Sequence, residues 1–315
     1  MMTYDRQIII SAAGSRKNTH WPQHSMWWSE FIEKFKIPAR GTETLAEYLR
    51  YPKSTQDDLK DVGGFVGGTL KGNRRKANAV LGRDLLTLDL DNIPSGETQN
   101  VLRRIEGLGC GYLVYSTRKH EEIKPRLRVV IPLSRTIIAD EYEPLARKIG
   151  SIIGIELCDP STFEAHRLMY WPSCSVDSQY IFHYGDKPIL DADGVLELYS
   201  DWRNVAEWPQ VPGVQQAAQK LAQKQGDPTA KNGVVGAFCR IYDVYKAMDE
   251  LIPGVYEICD TEGRFTFTGG STTGGAIIYD NGAFLYSHHA TDPAGGKLCN
   301  SFDLVRLHLF SEKDD

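Results

Sequence analysis

The sequence lacks the marks of several common protein classes. Its 315 residues include six cysteines, none in a Cys-x-x-Cys pair, so neither a zinc module nor a disulfide framework is predicted. No apolar run is long enough to span a membrane, and the first residues lack the basic-then-apolar order of a signal peptide. We therefore expect reduced thiols, a cytoplasmic location and no membrane partner.

Two catalytic motifs are missing as well. No G-x-x-x-x-G-K-[ST] segment occurs, so this sequence carries no P-loop motor; the paired glycines at 63–64 and 67–68 instead indicate close backbone approach within a strand. No His-x-His pair occurs, which argues against a rolling-circle type nuclease. The net charge of −5 excludes coating of nucleic acid by bulk charge, so any phosphate binding must come from local basic clusters.

The segment Arg83–Asp91 is the most informative part of the sequence. Leucine occupies every second position from 86 to 90, which predicts a β-strand and places Asp89 and Asp91 together on its other face, roughly 7 Å apart. Carboxylates at that spacing repel each other unless a positive charge lies between them, so a bound divalent cation is the favoured interpretation. The alternative is an edge strand with two solvated aspartates, but Leu85 adds an apolar side chain to the acidic face.

Patterns around this strand predict an α/β (α+β) domain. Strand patterns occupy 84–91, 111–117, 126–132 and 167–172. A helix after Pro94 separates the first two, and a helix at 140–153, capped by Asp140, separates the last two. This order is that of a ferredoxin-like, RRM-like unit. Upstream, we expect a strand at 7–13, a helix near 25–36 and a short helix capped by Thr42.

Two upstream features each allow two interpretations. Trp21, Trp27 and Trp28 lie near His20 and His24 in the sequence; they form either core packing or a surface on which bases stack. The basic loop at 73–76, which includes Arg74 and Arg75, precedes the acidic strand. It is either a solvated charge run or a contact for a nucleic-acid template.

The pattern breaks near Trp208, where prolines and a Gln/Ala/Lys-rich stretch begin. We predict a first domain at 1–208, a connector with some helix at 209–228 and a smaller α+β accessory domain at 229–315. The last would contain a helix at 234–249, a hairpin turning at Asn281-Gly282 and a final helix capped by Asn300 or Ser301. The adjacent His288 and His289 favour packing or nucleic-acid contact over zinc, and Asp292-Pro293 indicates a turn.

Three parts of the first domain could meet in one site: the aspartate pair, the loop around His120, and Asp159. Ser116, Arg118 and His120 occupy alternate positions and would share one face of an extended segment, and Arg128 lies on the following strand. Three carboxylates without soft ligands suit Mg²⁺ or Mn²⁺, and cations that face such metals suit a triphosphate.

These motifs resemble the archaeo-eukaryotic primase superfamily, in the primase-polymerase branch of phages and mobile elements. Leu88-Asp89-Leu90-Asp91 matches its hydrophobic-D-hydrophobic-D strand, and Arg118-Lys119-His120 matches its small-x-H loop, with Arg118 replacing the small residue. Cys158-Asp159-Pro160 matches its later acidic residue. The runs 115–133, 286–293 and 300–306 look like proteins whose primase region precedes a virulence-associated E type helicase. The resemblance covers about 60 to 310.

The resemblance implies an RRM-like catalytic core in which Asp89, Asp91 and Asp159 are metal ligands and His120 contacts the nucleotide. These four residues would be the catalytic set, with Mg²⁺ or Mn²⁺ in a two-metal site. The residues predicted to contact NTP or dNTP substrates are Ser116, Arg118, Lys119, His120, Arg128 and Arg167. From their positions in the sequence, rather than from the resemblance, we predict DNA contact or initiation by Arg74, Arg75, His288, His289 and Lys297.

The motifs and the resemblance allow three functions. The first is a DNA-dependent primase-polymerase that makes primers on a single-stranded DNA template, with a replicative helicase in trans or in a longer parent chain. The second is a catalytically inactive replication-initiation module that binds DNA and recruits a helicase. The third is a metal-dependent nuclease. The complete set of acidic residues and His120 favours the first.

Overall fold

The computed structural model describes residues 2–213, 222, 224–259 and 263–313. The chain divides into two compact units, Met1–Leu198 and Tyr199–Asp315. Residues 199–208, which the sequence analysis assigned to the first domain, group with the second unit. The predicted domain limits at 208 and 228 stay predictions, and most of the helix expected in the connector lies outside the described residues.

The first unit is built mainly from antiparallel strands and short helices. Its strands are β1 (Gln7–Ala13), β2 (Gln23–Trp27), β3 (Ala39–Arg40), β4 (Gly64–Val66), β5 (Gly68–Leu70), β6 (Val80–Leu90), β7 (Tyr112–Ser116), β8 (Leu127–Ile137), β9 (Met169–Tyr170), β10 (Ser173–Cys174) and β11 (Phe182–Gly185). Its helices are α1 (Trp28–Glu33), α2 (Leu45–Arg50), α3 (Lys53–Leu59), α4 (Thr98–Glu106), α5 (Ala139–Ile153) and α6 (Ala192–Leu196).

Within the described residues these strands form two larger sheets and one strand pair. One sheet has the order β2-β1-β4-β9, the other β11-β7-β8-β6-β5, and β3 pairs in parallel with β10. An aromatic core joins residues of both sheets to α1, with Phe31, Phe65 and Tyr115 each 0% exposed. Trp21 and Trp28 are buried too, so the packing interpretation is confirmed for them, whereas Trp27 is half exposed.

Strand β6 is central, as the acidic site requires. It lies between β5 and β8, and Leu81 is its one exposed residue. The alternative of an edge strand is therefore wrong, and Asp89 is buried, whereas Asp91 is partly exposed. Helix α5 contributes a hydrogen bond to this strand: Tyr142 Oη donates to the Thr87 carbonyl at 3.0 Å.

The predicted RRM-like order is found in part. β6, α4, β7, β8 and α5 follow one another as expected, with β8 between β6 and β7. The fourth strand is wrong: of 167–172 only Met169–Tyr170 is a strand, and it pairs with β4. β5 occupies the place beside β6. Its close approach depends on glycine, because a Cβ on Gly68 would lie 2.0 Å from the Gly82 carbonyl oxygen.

Several predicted helix limits also change. The helix expected near 25–36 begins at Trp28, because 23–27 pair with β1 as β2. Thr44, not Thr42, caps α2 and accepts the Glu47 amide hydrogen. Asp140 lies inside the first turn of α5, where Ile138 holds the cap position. In each case the sequence pattern placed the helix within a few residues; strand pairing sets the start of α1, and local capping sets those of α2 and α5.

The second unit combines a strand meander with three helices in its described residues. The helices are α7 (Gly233–Ile241), α8 (Val244–Glu250) and α9 (Ser301–Phe310), and the strands are β12 (Tyr256–Ile258), β13 (Arg264–Phe267), β14 (Ala276–Tyr279), β15 (Phe284–Ser287) and β16 (Leu298–Cys299). The strands pair in sequence order.

Two local predictions for this unit are confirmed and one is wrong. β14 and β15 form the expected hairpin, with Asn281 at φ 52°, and Asn300 caps α9 by accepting the Asp303 amide hydrogen. The single helix expected at 234–249 is two helices. It breaks at Tyr242, and Asp243 caps the second one. None of the helices among the described residues is long and apolar enough to cross a membrane.

Candidate active site

The end of β6 forms one wall of a cavity of about 520 Å³ in the first unit. Asp89 lies opposite Arg128 of β8, and Asp91 follows the strand directly. The chain returns beside this end, because the Asp159 amide donates to the Asp89 carbonyl at 2.9 Å. All three predicted acidic residues therefore line the same cavity.

Cations outnumber acids on the cavity wall. Among the described residues, nine arginines and lysines line it against four acids. The cations are Arg16, Lys53, Lys60, Arg75, Arg118, Lys119, Arg126, Arg128 and Arg167, and the acids are Asp89, Asp91, Asp159 and Glu164. A chain of net charge −5 thus concentrates positive charge in one place, which favours an anionic ligand.

Arginines face the aspartate pair. Arg126 Nη1 lies 2.5 Å from Asp91 Oδ2, while Arg128 Nε and Nη2 each lie 3.4 Å from Asp89 Oδ2. The latter contacts are longer than the roughly 2.7–2.9 Å of a strong charge-assisted hydrogen bond. Burial lowers the pKa of Arg128, but Asp89, Tyr115 and Asp91 together outweigh that effect and the pKa is raised. Burial, and then the Asp89 charge, raises the pKa of Asp91.

Four polar atoms of the cavity residues are buried without a hydrogen-bond partner in the described part of the chain. They are Asp89 Oδ1, Arg16 Nε, Arg75 Nε and Arg118 Nε. A buried polar group without a partner costs about 1–3 kcal/mol, so such groups persist where a ligand or another function requires them. One orphaned acceptor and three orphaned donors among the residues of one cavity fit a cation together with an anion.

The acidic residues fit a hard metal ion in part. Asp89, with its free oxygen, and Asp91 are oxygen donors of the kind Mg²⁺ and Mn²⁺ prefer. The Asp159 carboxylate is engaged elsewhere, because its Oδ1 accepts the Ser161 amide hydrogen at 2.8 Å and its Oδ2 lies 3.7 Å from Arg167. Accordingly, the described residues contain no group of three or more His, Cys, Asp or Glu placed to hold a metal.

The predicted nucleotide-binding residues divide into two groups. Arg118, Lys119, Arg128 and Arg167 line the cavity. Ser116 lines it too, but its hydroxyl accepts the Ile181 amide hydrogen at 3.0 Å. His120 is absent from the lining residues; it is buried, and its Nδ1 accepts the Arg126 amide hydrogen at 3.1 Å. Burial lowers the pKa of this imidazole. Its direct contact with a nucleotide stays a prediction.

The predicted DNA-contact residues also divide. Arg75 lines the cavity, with its guanidinium 5.2 Å from the Trp21 ring centroid, and Arg74 does not line it. His289 is fully buried and accepts the Phe267 amide hydrogen at 3.1 Å. The prediction that it contacts DNA is therefore wrong, because it has no accessible surface. His288 is partly buried against Tyr286, and Lys297 is exposed.

Sequence reasoning missed several residues of this wall. Lys53 and Lys60 flank α3 and share Asp57 as an ion-pair partner, and Tyr48 of α2 also lines the cavity. No local pattern connects these upstream segments with β6. Arg126 could have been assigned to the site from the sequence, since it lies two positions from Arg128 and so on the same strand face.

The fold and this cavity define a mixed α/β domain whose acidic strand end faces a basic recess of about 520 Å³. Residues 1–211 match the family model described as the VapE N-terminal domain. Because the match covers more than half of the chain, the chain belongs to the VapE N-terminal domain family, which confirms the resemblance found in the motifs.

One solved structure is similar in part. The AEP domain of the cyanophage S-2L primase-polymerase matches at 9% identity and a TM-score of 0.34, over 61% of this chain and 87% of that one. Comparison with curated proteins gives no match.

Proposed function

We propose that this protein is a DNA-dependent primase-polymerase that makes primers on single-stranded DNA for phage or mobile-element replication. The reaction would be metal-dependent, template-directed nucleotidyl transfer. One observation carries the proposal: a single cavity joins the Asp89–Asp91 pair to an excess of cations, and its lining residues include buried polar atoms without a partner, among them Asp89 Oδ1, Arg75 Nε and Arg118 Nε. Membership of the VapE N-terminal domain family supports the same class of function.

The cavity residues suit separate tasks in this reaction. Asp89 and Asp91, with Asp159 beside them, would hold Mg²⁺ or Mn²⁺. Such ions lower the charge at the reacting phosphate and orient the attacking hydroxyl. Arg126 and Arg128 each pair with one aspartate and can exchange that carboxylate for a phosphate oxygen of an NTP or dNTP.

The template would lie where cations and rings adjoin the cavity. Arg75 lines the cavity and lies over the buried Trp21 ring, so its held guanidinium can offer positive charge to a single strand. A replicative helicase, in trans or in a longer parent chain, would be the partner that opens the duplex. This assignment follows from the family and from the lack of a P-loop in this sequence.

The second unit would hold the initiating nucleotide or the template, or connect to the helicase. Starting a primer requires two nucleotides side by side, whereas extension needs one, and exposed Lys297 offers a phosphate contact. A chain ending at Gln225 should then extend annealed primers and fail to start new ones. Equal initiation by the shortened and full chains, at equal folded concentration, would remove this role.

A second candidate has its own support. Both aspartates are paired with arginines, and the described residues contain no three-acid metal group. These facts favour a catalytically inactive module that binds DNA and recruits a helicase.

One experiment separates the two candidates. The full chain is incubated with Mn²⁺ or Mg²⁺, labelled nucleotides and an unprimed single strand, with a chelator in the control. We expect labelled primers that depend on both template and metal. Tight DNA binding without incorporation under either metal would favour the inactive module.

A further inference from the structure

Arg118 is held in the cavity wall by residues from distant parts of the chain. Its Nη2 donates to Glu43 Oε1, and its guanidinium lies 5.0 Å from the Tyr48 ring centroid. Glu43 is itself fixed, because its Oε1 also accepts the Ser175 hydroxyl at 3.2 Å. A Cβ on Gly41 would lie 2.4 Å from both Arg118 Nη2 and Glu43 Oε2, so only glycine leaves room for this pair.

The ion pair is buried, which is a costly arrangement for structure alone. Glu43 is 8% exposed and Arg118 is 6% exposed. Burying two charges costs several kcal/mol per ion, and their attraction often fails to recover it. Moreover, the pair leaves Arg118 Nε without a partner. A purely structural pair would gain from satisfying that donor.

The neighbouring residue adds to the case for an anion. Lys119 lines the same cavity and forms no ion pair within the described residues. Burial, together with the charges of Lys53, Arg126 and Lys60, lowers the pKa of Lys119. A cation held near other cations is stabilised by an incoming negative charge.

Arg118 also differs from the arginines beside the aspartates. Arg126 and Arg128 pair with Asp91 and Asp89, whereas Arg118 pairs with Glu43 and lies beside Tyr48, which also lines the cavity. An anion that spans the cavity would have one end at the aspartates and the other at Arg118.

We propose that Glu43 is a positioning residue that fixes Arg118 to bind the terminal phosphate of a nucleoside triphosphate. This inference rests on the proposed function and goes further in naming the part of the substrate that is recognised. Glu43 and Ser175 hold the guanidinium in place, and Arg118, with Lys119, both of which line the cavity, donates to the phosphate end remote from Asp89 and Asp91. The pair would therefore select triphosphates over monophosphates.

The direction in which one substitution changes triphosphate affinity tests the proposal. Glu43→Gln removes a negative charge beside the cavity, so Coulomb attraction alone predicts tighter binding of anions. If Glu43 positions Arg118, the same change weakens triphosphate binding, because Arg118 loses its fixed orientation. We expect the Kd of a nucleoside triphosphate to rise about tenfold, as for one lost charge-assisted hydrogen bond, and the Kd of the monophosphate to stay unchanged.

The measurement is calorimetric titration of the full chain with nucleoside tri-, di- and monophosphates, without template. Arg118→Ala should give the same loss, and the double variant should lose no more than either single one. Glu122→Gln is the matched control, because it removes an exposed negative charge from the loop that carries Arg118 and should not weaken binding. Glu43→Asp should retain part of the triphosphate preference.

The outcomes are distinct. Tighter triphosphate binding by Glu43→Gln, or additive losses in the double variant, would overturn the positioning role while leaving the proposed function in place. No binding of any nucleotide by the wild-type chain would overturn both. If Glu43→Gln does not fold, Ser175→Ala keeps both charges and removes one hydrogen bond. It should weaken triphosphate binding by a smaller factor, and unchanged binding would contradict the proposal.

Discussion

Two buried aspartates, one in each unit, show how differently the same side chain can be used. Asp292 of the second unit is 0% exposed and fully bonded: Tyr256 Oη donates to its Oδ2 at 2.7 Å, and the Ala294 amide donates to its Oδ1 at 2.8 Å. Asp89 of the first unit is nearly as buried. It has two contacts of 3.4 Å at Oδ2 and none at Oδ1.

The two aspartates differ in the completeness of their hydrogen bonding rather than in burial, and we infer that this difference separates a structural carboxylate from a functional one. The Asp292 network, which includes His308 Nε2 at 3.3 Å, ties β12 to α9. Asp89 is left unsatisfied in a cavity lined by cations. Removing the charge should therefore affect stability at Asp292 and activity at Asp89.

The largest effect is expected at the acidic pair. Asp89→Asn and Asp91→Asn keep the shape of the side chain and remove its charge. Each should lower template-directed incorporation by about 10³-fold, which corresponds to roughly 4 kcal/mol of transition-state stabilisation. Thermal unfolding should change little. Incorporation within a few-fold of wild type, at equal folded concentration, would refute the role of these residues.

A smaller effect, of the opposite kind, is expected for Asp292→Asn. Disrupting this network should cost about 2–4 kcal/mol, measured as faster hydrogen exchange in β12–β16, with little change in exchange of β6 in the first unit. Burial opposes ionisation of Asp292, but hydrogen bonds from His308, Ser287 and Tyr256 outweigh it, so its pKa is lowered.

The lowered pKa of Asp292 fixes the direction in which the stability of the second unit changes with pH. The stabilisation is fully present above the unfolded aspartate pKa of about 3.9 and is lost as pH falls through the folded value. Wild-type stability of this unit should therefore decline in acid more steeply than that of the Asn variant. Equal acid slopes for the two proteins would show that the network does not stabilise the unit.

The smallest effect is expected in the basic loop at 73–76. It extends the comparison from an unsatisfied carboxylate to an unsatisfied hydrogen-bond donor. Arg75→Ala removes a cavity cation with an orphaned Nε, and should weaken binding of a single-stranded oligonucleotide by about 1 kcal/mol, or roughly fivefold. Arg74→Ala is the matched control, since Arg74 does not line the cavity. Equal losses in the two variants, measured by fluorescence anisotropy, would mean that the loop acts through bulk charge alone.

Local pattern predicted the centre of the site and not its surroundings. Alternating leucines located β6 and its two aspartates, and side-chain parity placed Arg128 near them. Glu43, Lys53 and Lys60 could not be found in this way, because their contacts with the cavity join segments far apart in the sequence. Asp292 looked like a turn residue for the same reason: its partners Tyr256 and His308 lie 36 and 16 positions away.

The fourth strand failed for a different physical reason. The segment at 167–172 has a strand pattern, yet its strand Met169–Tyr170 pairs with β4, and β5 takes the place beside β6. Pattern indicates which residues can form a strand, whereas tertiary contacts decide which neighbour it pairs with.

The most direct test of the central claim is binding of Mn²⁺ to the full chain in the presence of a nucleoside triphosphate, compared among wild type, Asp89→Asn and Asp292→Asn. If the unsatisfied carboxylate is the functional one, wild type and folded Asp292→Asn bind the metal equally, and Asp89→Asn binds it at least about tenfold more weakly, a loss of roughly 1.4 kcal/mol. Equal metal binding by wild type and Asp89→Asn would contradict the account.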